Sequence, residues 1–595
     1  MNRKSKVALS VLLCATTSVA IAGVFPATKP QGKLGTIYVN PYGNSPLTAI
    51  IDLGSNTISD VSVMVKGKGR NGVDISYDVG MQNILTSDGI PVFGLYADHN
   101  NQVEVSYLKD GQKIEETYSI MTNPVSSQSI DTNNVTRIPT AEVKKIASGF
   151  EDRLYMVNSH TYLTDGSKIT WAARKPPGAP KIEGALAGGS AAFEAEPQTY
   201  IVDTNGDIRW WLNSEAVFDA ESWDLADRGY FMGFNDTGKG SYTFVQGSTF
   251  GTFNLLGKVE QKRLPRGYVD ASHEMLRGDN GNFFIRVAKR DYMNDVGDQV
   301  ITVRDQILEL DEFDNVVDRW DLNVIFDPYR DALLSALDIG AVCVNVDLDA
   351  AGQTMDMDEL KKIAYGDTPG VGAGRNWAHV NSIEYDASDD SIILSFRHQG
   401  VAKVTRDKQV KWILAPREGW NDELSQKLLT PVDIDGKPIK CTDKGVCEDD
   451  FDFTYTQHTA WLNKSNGNVT VFDNGDGRGH DQPAIPTMKY SRFVEYKVNE
   501  QDMTVQQTWE YGKERGYDWY SPITSNVEFA EDKNTMFGFG GSVHLYNRGE
   551  RTIGKINEID YDSKEVKVEI DVLSAKNNNT HYRARIVDLN SQFGF

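Results

Sequence analysis

A strand–turn–strand unit recurs along most of this chain and constrains its fold more than any other feature. Each copy has alternating residues, a polar turn and a second strand that often ends near tryptophan. Period-two alternation interrupted by turn residues predicts a β-hairpin, and repeated hairpins predict a propeller. We therefore expect an all-β protein with a six-bladed β-propeller; two stacked sandwiches would explain the repeat less well. The six copies begin at Tyr200, Gly251, Gln306, Val401, Phe493 and Lys555.

The repeats are about 70 residues apart on average, which is more than compact blades need. The surplus is expected in loops and insertions such as residues 323–377, with helical pieces near 331–337 and 357–363. The predicted propeller catalytic domain spans residues 141–595.

Residues 23–140 have a different pattern and predict a separate N-terminal β-sandwich domain. Short alternating runs recur there without a helical period of useful length. Asp110-Gly111 lies between two such runs and predicts a type I′ hairpin turn. A Ser/Thr/Asn/Pro-rich stretch over residues 122–142 predicts a linker.

The first 22 residues have the features of a cleaved signal peptide. Arg3, Lys4 and Lys6 precede the apolar residues 7–20, and Ala20-Ile21-Ala22 supplies a small-residue cleavage site. No other stretch is long and apolar enough to span a bilayer. We expect export to a bacterial periplasm.

The net charge of −23 and the lack of a basic tract argue against nucleic acid and anionic membranes as partners. After cleavage three cysteines remain, Cys343, Cys441 and Cys447. In an oxidising compartment the close pair Cys441 and Cys447 predicts a disulfide. Cys343 is interpreted as a small buried hydrophobe.

A second repeated unit begins with histidine, followed by a short strand, a polar turn and an apolar strand. It occurs at His273, His379 and His458, and with serine at Ser525 and Ser222. The first strand of each propeller blade lines the central channel. Three histidines in matching register therefore predict one shared site. The other histidines considered are interpreted as solvated or hydrogen-bonded side chains: His99, His160, His480, His544 and His581.

Two kinds of chemistry suit three convergent histidines. Three imidazoles can hold zinc with one open position, although no carboxylate or thiolate shares their position. The alternative is anion transfer, because Arg397 follows the second strand of the His379 unit. A channel-facing guanidinium beside imidazoles suits a tetrahedral oxyanion, and histidine can act as a nucleophile. Arg397 in a salt bridge with a carboxylate is the other interpretation.

An Asp/Gly-rich loop, Asp473 to Gly477, has some features of a calcium site. It lacks the distal glutamate of an EF-hand because Ala484 stands there. We interpret it as a tight turn.

Four stretches resemble the bacterial arylsulfate sulfotransferases: NWAHVNSIEYDASDDSIILSFRHQG from Asn376, YTQHTAWL from Tyr455, FDNGDGRG from Phe472 and YSPITSNVE from Tyr520. The resemblance covers essentially the whole mature chain. It implies a periplasmic, homodimeric six-bladed propeller with an added β-domain. It also implies sulfuryl transfer from an aryl sulfate to a phenol acceptor without 3′-phosphoadenosine-5′-phosphosulfate and without a cofactor.

The resemblance also implies roles for single residues. His458 matches the histidine that is transiently sulfurylated, giving ping-pong kinetics through a sulfohistidine. His273, His379 and Arg397 match residues around the sulfuryl group, with His379 the candidate general acid and base. Asn381 and Thr524 are candidate sulfate contacts. The family's disulfide matches Cys441–Cys447, for which a periplasmic disulfide oxidase is an expected partner.

Aromatic residues at the channel mouth are candidates for stacking on the aryl ring, and packing in a core is the other interpretation of each. The candidates are Tyr96, Trp377, Tyr455 and Tyr520. The rival functions are a metal-dependent propeller lyase or hydrolase and a non-catalytic ligand-binding propeller. No sulfatase motif C/S-x-P-x-R and no phosphate-binding loop opening a helix occurs in the sequence.

Overall fold

The computed structural model describes residues 27–28, 31–125, 138–162, 195–213, 231–342, 345–362, 365–366, 369–480, 485–573 and 580–595. The predicted signal peptide, Cys343 and the segment from Ser222 to Tyr230 lie outside these residues. Among the described residues, no helix is long and apolar enough to cross a bilayer.

The N-terminal region forms two four-stranded sheets packed on each other, as the alternating pattern predicts. Asp110 and Gly111 have φ of 52° and 75°, which confirms the predicted type I′ turn. A helix, Met81–Ser87, was not predicted; its seven residues are too few to show a helical period. One sheet has the strands Ala27–Thr28, Ile37–Val39, Thr48–Ile51 and Ile90–Phe93, and the other Ile75–Val79, Ser59–Val65, Asn100–Lys109 and Gln112–Met121.

Among the described residues the propeller region contains six sheets of four or five strands, the number that the hairpin repeat predicts. Their strands pair antiparallel, except that Thr430–Pro431 pairs parallel with Thr504–Tyr511. Written from the inner strand outward, the first three are blade 1 (Thr580–Ile586, Leu154–Tyr162, Ala195–Asp203, Ile208–Leu212), blade 2 (Met232–Asp236, Tyr242–Gln246, Thr249–Phe253, Val259–Arg263) and blade 3 (Met275–Arg277, Phe283–Lys289, Gln306–Leu310, Val316–Asp321). In blade 3 a short strand, Tyr268–Val269, also pairs with Phe283–Lys289.

The remaining three sheets are blade 4 (Val380–Asp386, Ser391–Phe396, Gly400–Thr405, Val410–Leu414), blade 5 (His458–Asn463, Asn468–Asp473, Arg492–Asn499, Thr504–Tyr511, Thr430–Pro431) and blade 6 (Asn526–Ala530, Thr535–Val543, Ile553–Asp560, Val566–Leu573, Thr140–Ile146). All six predicted hairpins are the third and fourth strands of a blade, counted from the inner strand. Their apolar residues are almost all buried because neighbouring blades cover both faces of each sheet.

Two strands distant in sequence complete the propeller. Thr580–Ile586 is the inner strand of blade 1 and pairs with Leu154–Tyr162. Thr140–Ile146 is the outer strand of blade 6 and pairs with Val566–Leu573. Blades 1 and 6 therefore each combine strands from the beginning and the end of the propeller region. Thr140–Ile146 thus belongs to the propeller, while the domain boundaries at residues 22 and 140 stay predictions.

The sandwich packs against blades 1 and 2. Arg209 of blade 1 donates to the carbonyls of Gly94 and Val73 at 2.9 and 2.8 Å. Its guanidinium lies over the ring of Tyr96, and Tyr77 stacks on Phe593. Burial of these groups fixes the sandwich against the propeller.

One predicted copy of the histidine-type unit is wrong. The copy from Ser222 placed the residues around Met232 in a second strand. Met232–Asp236 is instead the inner strand of blade 2, and Tyr242–Gln246 is the second. The error arises because Gly238 and Gly240, in the true turn, were not recognised as turn residues.

The helices are short and lie in the connections, including the predicted pieces near residues 331–337 and 357–363. The α-helices outside the sandwich are Leu322–Ile325, Met357–Leu360, Asp422–Ser425 and Leu589–Phe593; the 3₁₀ helices are Leu334–Ala336, Leu348–Ala350, Arg478–His480, Pro486–Met488, Lys513–Trp519 and Glu531–Lys533; two small ribbons pair Tyr292–Met293 with Gln299–Val300 and Ala341–Val342 with Asn345–Val346.

Candidate active site

The three repeated histidines occupy the beginnings of the inner strands of blades 3, 4 and 5. His273 and His379 have left-handed backbones, with φ of 67° and 47°, and Thr459 after His458 has φ of 61°. In blades 4 and 5 a register shift accompanies this conformation. Such φ values are uncommon for residues other than glycine and cluster at functional sites. A residue with a left-handed backbone therefore lies at or directly after each of the three histidines.

The imidazoles are buried and interact with one another. The Nε2 atoms of His273 and His379 are 3.2 Å apart. Burial lowers the pKa of His273 well below its usual range, and the nearby Arg286, Arg304 and His458 add to this effect. Burial also lowers the pKa of His379, followed by the effects of His398 and His273. All these imidazoles are therefore neutral at pH 7.

His458 is held through one ring nitrogen by Asn474. The Nδ1 atom lies 2.8 Å from Asn474 Oδ1. Asn474 Nδ2 donates to the carbonyls of Ser521 and Thr524, at 2.7 and 3.1 Å, so its oxygen must face the imidazole. His458 therefore donates from Nδ1, and its Nε2 carries a lone pair.

His273 accepts a hydrogen bond at Nδ1, whereas His458 donates one from the same atom. Arg286 Nη1 lies 2.8 Å from His273 Nδ1, and Ser272 Oγ lies 2.7 Å from the same atom. A guanidinium can only donate, so Nδ1 must accept. Neutral His273 then carries its proton on Nε2, the atom that faces His379.

His379 completes this chain on the side of blade 4. Asn376 Nδ2 lies 3.0 Å from its Nδ1. His398 packs edge-to-face on His379, with ring centroids 4.9 Å apart. His398 Nδ1 donates to the carbonyl of Asn376 at 2.9 Å, and burial lowers its pKa to about 3. A fourth neutral imidazole thus adjoins the site.

Arg397 is a fully buried guanidinium near these groups. Its Nη1 donates to the carbonyls of Thr456 and Pro522, at 2.9 and 3.3 Å. Within the described part of the chain, its Nε and Nη2 have no hydrogen-bond partner and no carboxylate pairs with it. The salt-bridge interpretation therefore finds no support there. A buried cation without a counter-charge is costly, and an anion beside it would relieve that cost.

The two predicted sulfate contacts lie beside the histidines, and each holds neighbouring backbone. Asn381 Nδ2 donates to the carbonyl of Gln457 at 2.6 Å, next to His458. Thr524 donates from its hydroxyl to the carbonyl of Ile523, and its own carbonyl accepts from Asn474. Their role as sulfate ligands stays a prediction.

The Cys441–Cys447 disulfide is present, as the sequence predicts. The loop that it closes contacts Tyr455, whose hydroxyl donates to the carbonyl of Lys444 at 3.0 Å. The backbone N–H of Tyr455 donates to the carboxylate of Asp473, the residue before Asn474. The disulfide loop is thereby connected to both sides of the His458–Asn474 pair.

Three of the four predicted ring-stacking aromatics have other functions. Tyr96 lies under Arg209 at the sandwich interface, with 3.8 Å between guanidinium carbon and ring centroid. Trp377 is in the core and donates to Asn323. Tyr455 supports the disulfide loop. Tyr520 is also buried, and its ring stacks on that of Tyr546.

The Asp473–Gly477 loop is a turn, as predicted, and its carboxylates are neutralised by cations. Asp473 accepts from Arg478 and Arg492 at 2.8 and 2.9 Å, and Asp476 accepts from Lys489. In the described ranges no three His, Cys, Asp or Glu side chains are arranged to hold a metal ion.

The sequence analysis missed the residues that orient the imidazoles, namely Arg286, Asn474, Asn376 and His398. Arg286 is the fourth residue of the second strand of blade 3, whereas Arg397 and Asn474 directly follow the second strands of blades 4 and 5. Comparing the ends of the second strands would have found Arg397 and Asn474 but not Arg286.

Two arginines of the inner strand of blade 1 pack against a tryptophan of the inner strand of blade 5. Arg585 and Arg583 lie 4.2 and 4.9 Å from the ring centroid of Trp461. Arg583 also pairs with the buried Glu274, and Arg585 with Glu528. These contacts join inner strands of different blades.

Family models match nearly the whole region described above. Residues 140–583 match the family described as Arylsulfotransferase (ASST), and residues 36–123 match the Arylsulfotransferase Ig-like domain. The chain belongs to the arylsulfotransferase family. It is 54% identical over 589 residues to the Arylsulfate sulfotransferase AssT of Escherichia coli O6:H1, covering 98% of each chain. It is 53% identical to the protein of the same name from Lelliottia amnigena, covering 99% of this chain and 98% of the relative.

Solved structures with low sequence identity also match. The periplasmic gluconolactonase PpgL of Pseudomonas aeruginosa is 9% identical with a TM-score of 0.29, covering 83% of this chain and 98% of the other. The propeller domain of Myceliophteria_thermophila Cps50 (Swd1) has a TM-score of 0.28 at 9% identity, covering 65% and 89%. At these scores neither comparison carries an argument about function.

Proposed function

We propose that this protein transfers a sulfuryl group from an aryl sulfate to a phenol by a ping-pong mechanism, with a sulfohistidine at His458 Nε2. No 3′-phosphoadenosine-5′-phosphosulfate and no cofactor take part. The observation that carries the proposal is the pairing of an unprotonated Nε2 on His458 with the buried, uncompensated guanidinium of Arg397. A nucleophile and an anion-binding cation in one buried site suit transfer of a negatively charged group.

In the first half-reaction the His458 Nε2 lone pair forms a bond to sulfur, and the bond from sulfur to the aryl oxygen breaks. Its electron pair leaves on the phenolate. Arg397 and the Nε2–H of His273 donate to the sulfuryl oxygens as charge develops there. Asn474 stabilises the sulfurylated ring, because that ring is cationic and donates its Nδ1–H to Asn474 Oδ1.

His379 is proposed to hold the proton that moves in each half-reaction. The sulfate monoester brings a negative charge beside His379 and favours its protonated form. The imidazolium then protonates the leaving phenolate, which has a conjugate acid of pKa near 10 and is otherwise a poor leaving group. In the second half-reaction neutral His379 takes the proton of the incoming phenol. The phenol oxygen attacks sulfur and releases His458 with its Nε2 bare.

Water must be excluded for transfer to win over hydrolysis. The imidazoles are buried, and the pairs Arg583–Glu274 and Arg585–Glu528 join different blades. This arrangement supports transfer to a phenol over transfer to water.

The test is to incubate the full-length protein with 4-nitrophenyl sulfate in the absence of an acceptor and to map the added sulfo group by peptide mass spectrometry. We expect the group on the peptide that contains His458. A sulfo group on another residue, or sustained turnover without any adduct, would show that the mechanism is wrong.

Two further measurements separate this function from its rivals. A transferase releases 4-nitrophenol faster when phenol is added, whereas a ligand-binding propeller releases none. A metal-dependent lyase or hydrolase would lose activity with EDTA and regain it with zinc or calcium. We expect phenol-dependent release that EDTA does not change.

We also propose that the protein acts in the periplasm as a homodimer whose disulfide is formed by a periplasmic oxidase. The Cys441–Cys447 bond supports an oxidising compartment. Cell fractionation tests the location, and light scattering of the purified protein tests the dimer. Cytoplasmic recovery of the processed chain or a monomeric mass would contradict the respective proposal.

A further inference from the structure

The imidazoles of His273 and His379 face each other with their Nε2 atoms, and only one of these two atoms can carry the hydrogen between them. His273 Nε2 and His379 Nε2 are 3.2 Å apart. If both atoms carried hydrogen they would repel, and if neither did there would be no hydrogen bond. One of the pair must therefore donate and the other accept.

Arg286 decides which histidine donates. Its Nη1 lies 2.8 Å from His273 Nδ1 and 3.2 Å from Ser272 Oγ, while its Nε donates to the carbonyl of Arg304 at 2.6 Å. Arg286 is fully buried, stays protonated, and cannot accept a hydrogen bond. A second proton on His273 Nδ1 would point at this guanidinium, so both the imidazolium and the Nδ1–H tautomer are excluded.

We infer that Arg286 is a positioning residue that fixes the proton of His273 on Nε2. His273 then acts only as a hydrogen-bond donor: its Nε2–H donates to His379 Nε2 in the resting protein and to a sulfuryl oxygen once the sulfate is bound. His379 Nε2, released in this way, is the atom that gains and loses the proton of the reaction. This inference deepens the proposed function and rests on it for the role of His379. Asn376 Nδ2 lies 3.0 Å from His379 Nδ1. A proton on that Nδ1 therefore requires the Asn376 amide to be rotated by 180°, so that its Oδ1 accepts from Nδ1–H.

Among the groups near His273, only Arg286 can determine which ring nitrogen carries the hydrogen. Ser272 can either donate to Nδ1 or accept from it, so it selects neither form. The other charged or titratable groups near His273 act through space or on other atoms of the residue: Arg304, which pairs with Asp270; Arg583, which pairs with Glu274; His379; His458; and Tyr582, whose hydroxyl contacts the carbonyl of His273.

The first experiment measures kcat/KM of Arg286→Met, Arg286→Lys and Ser272→Ala from pH 6 to 8 and divides each value by that of the wild type. Ionisation of the phenol affects variant and wild type equally, so it does not change this ratio. In Arg286→Met the neutral His273 can carry its one hydrogen on Nδ1, where Ser272 accepts it. Nε2 then has no hydrogen to donate. We expect a loss of about 100-fold at pH 8, the usual effect of losing one oriented donor.

Lower pH should restore much of this lost activity. Removal of Arg286 raises the pKa of His273, so that protonation returns a hydrogen to Nε2 as the pH falls. The Arg286→Met ratio should thus rise towards pH 6. Arg286→Lys keeps a protonated donor and should give a level ratio with a smaller loss, and Ser272→Ala should also give a level ratio. Equal and pH-independent losses in both Arg286 variants would overturn the inference.

The second experiment needs neither activity nor a folded variant at position 286. The ¹⁵N shifts of wild-type protein labelled at histidine, assigned with His273→Asn, report which nitrogen of His273 carries hydrogen. Hydrogen on Nε2 supports the inference, and hydrogen on Nδ1 overturns it. A correct tautomer in a protein that forms no sulfo-enzyme would instead contradict the proposed function alone.

Discussion

Blades 3 and 5 each place a histidine at or just before the start of the inner strand, yet the two imidazoles carry their protons on opposite nitrogens. In blade 3, Arg286 donates to His273 Nδ1, so the proton is on Nε2. In blade 5, Asn474 Oδ1 accepts from His458 Nδ1, so Nε2 is bare. The partner residue comes from the next strand of the blade in both cases.

This difference shows how a repeated unit acquires distinct chemical functions. Both histidines are buried and have a left-handed residue at or directly after them, and burial makes each imidazole neutral. A donor or an acceptor on the neighbouring strand then decides whether the exposed ring nitrogen is a hydrogen-bond donor or a nucleophile. Asn474 is itself fixed by two backbone carbonyls, so its orientation does not depend on the substrate.

The largest effect is expected where the nucleophile itself is removed from blade 5. His458→Asn should lower the transfer rate at least about 10⁴-fold, because loss of a nucleophile removes the covalent route. His544→Asn is the matched control, since His544 is partly exposed and its φ of 63° suits asparagine. The initial rate of 4-nitrophenol release with phenol measures both. Near-normal activity in His458→Asn would exclude this residue as nucleophile.

A second substitution removes the acceptor that distinguishes blade 5 from blade 3. Asn474→Leu should lower kcat by about 100-fold with little change in KM, because loss of an orienting partner misplaces the proton of His458. Asn474→Asp keeps an acceptor at Nδ1 and should lose less, although it no longer donates to Ser521 and Thr524. Steady-state kinetics of both variants check this order. Equal losses would mean that Asn474 acts only by packing.

The disulfide loop supports blade 5 and has no counterpart among the other described blades. Replacing Cys441 and Cys447 together by serine should lower the free energy of unfolding by about 2 kcal/mol, from the entropy of a loop this short. The rate should fall less than in Asn474→Leu, since Tyr455 transmits the effect indirectly. Urea unfolding and initial rates measure the two quantities. Unchanged stability and rate would leave the loop without a supporting role.

The smallest predicted effect concerns pH and the burial that both blades share. Burial, followed by Arg397, lowers the pKa of His458 well below the unfolded value near 6.5. Below pH 6.5 the unfolded chain binds the proton that the folded chain excludes, so stability falls as the pH falls. Each such histidine contributes about 1.4 kcal/mol per pH unit until its folded pKa is reached.

The contribution of His458 is the difference between the wild-type and His458→Asn stability curves, because carboxylates also titrate in acid and affect both proteins. Urea unfolding of wild type and His458→Asn at pH 7, 6 and 5 gives two stability curves. The wild-type curve should fall more steeply below pH 6.5. Parallel curves would mean that His458 is readily protonated in the folded protein.

Much of the fold could be predicted because the relevant signals are local. The six hairpins were found from alternating residues and turns, and the positions of His273, His379 and His458 followed from their register. Blade 2 was misassigned where the turn around Gly238 and Gly240 was overlooked. Tyr96, Trp377 and Tyr455 are buried, which favours the packing interpretation that the sequence left open. Sequence does not distinguish a ring that packs in a core from one that lines a channel.

The amino-acid sequence by itself determined the repeat, the recurring histidines, the arginine that follows one of them, and the family to which the chain belongs. The tertiary structure alone decided where each proton lies. That choice depends on whether Arg286 or Asn474 meets the Nδ1 atom of its histidine. These contacts arise from strand pairing and ring closure, which bring together side chains 13 or 16 residues apart and inner strands from several blades. Hydrogen-bond direction is a property of the assembled pair, and neither residue carries it alone.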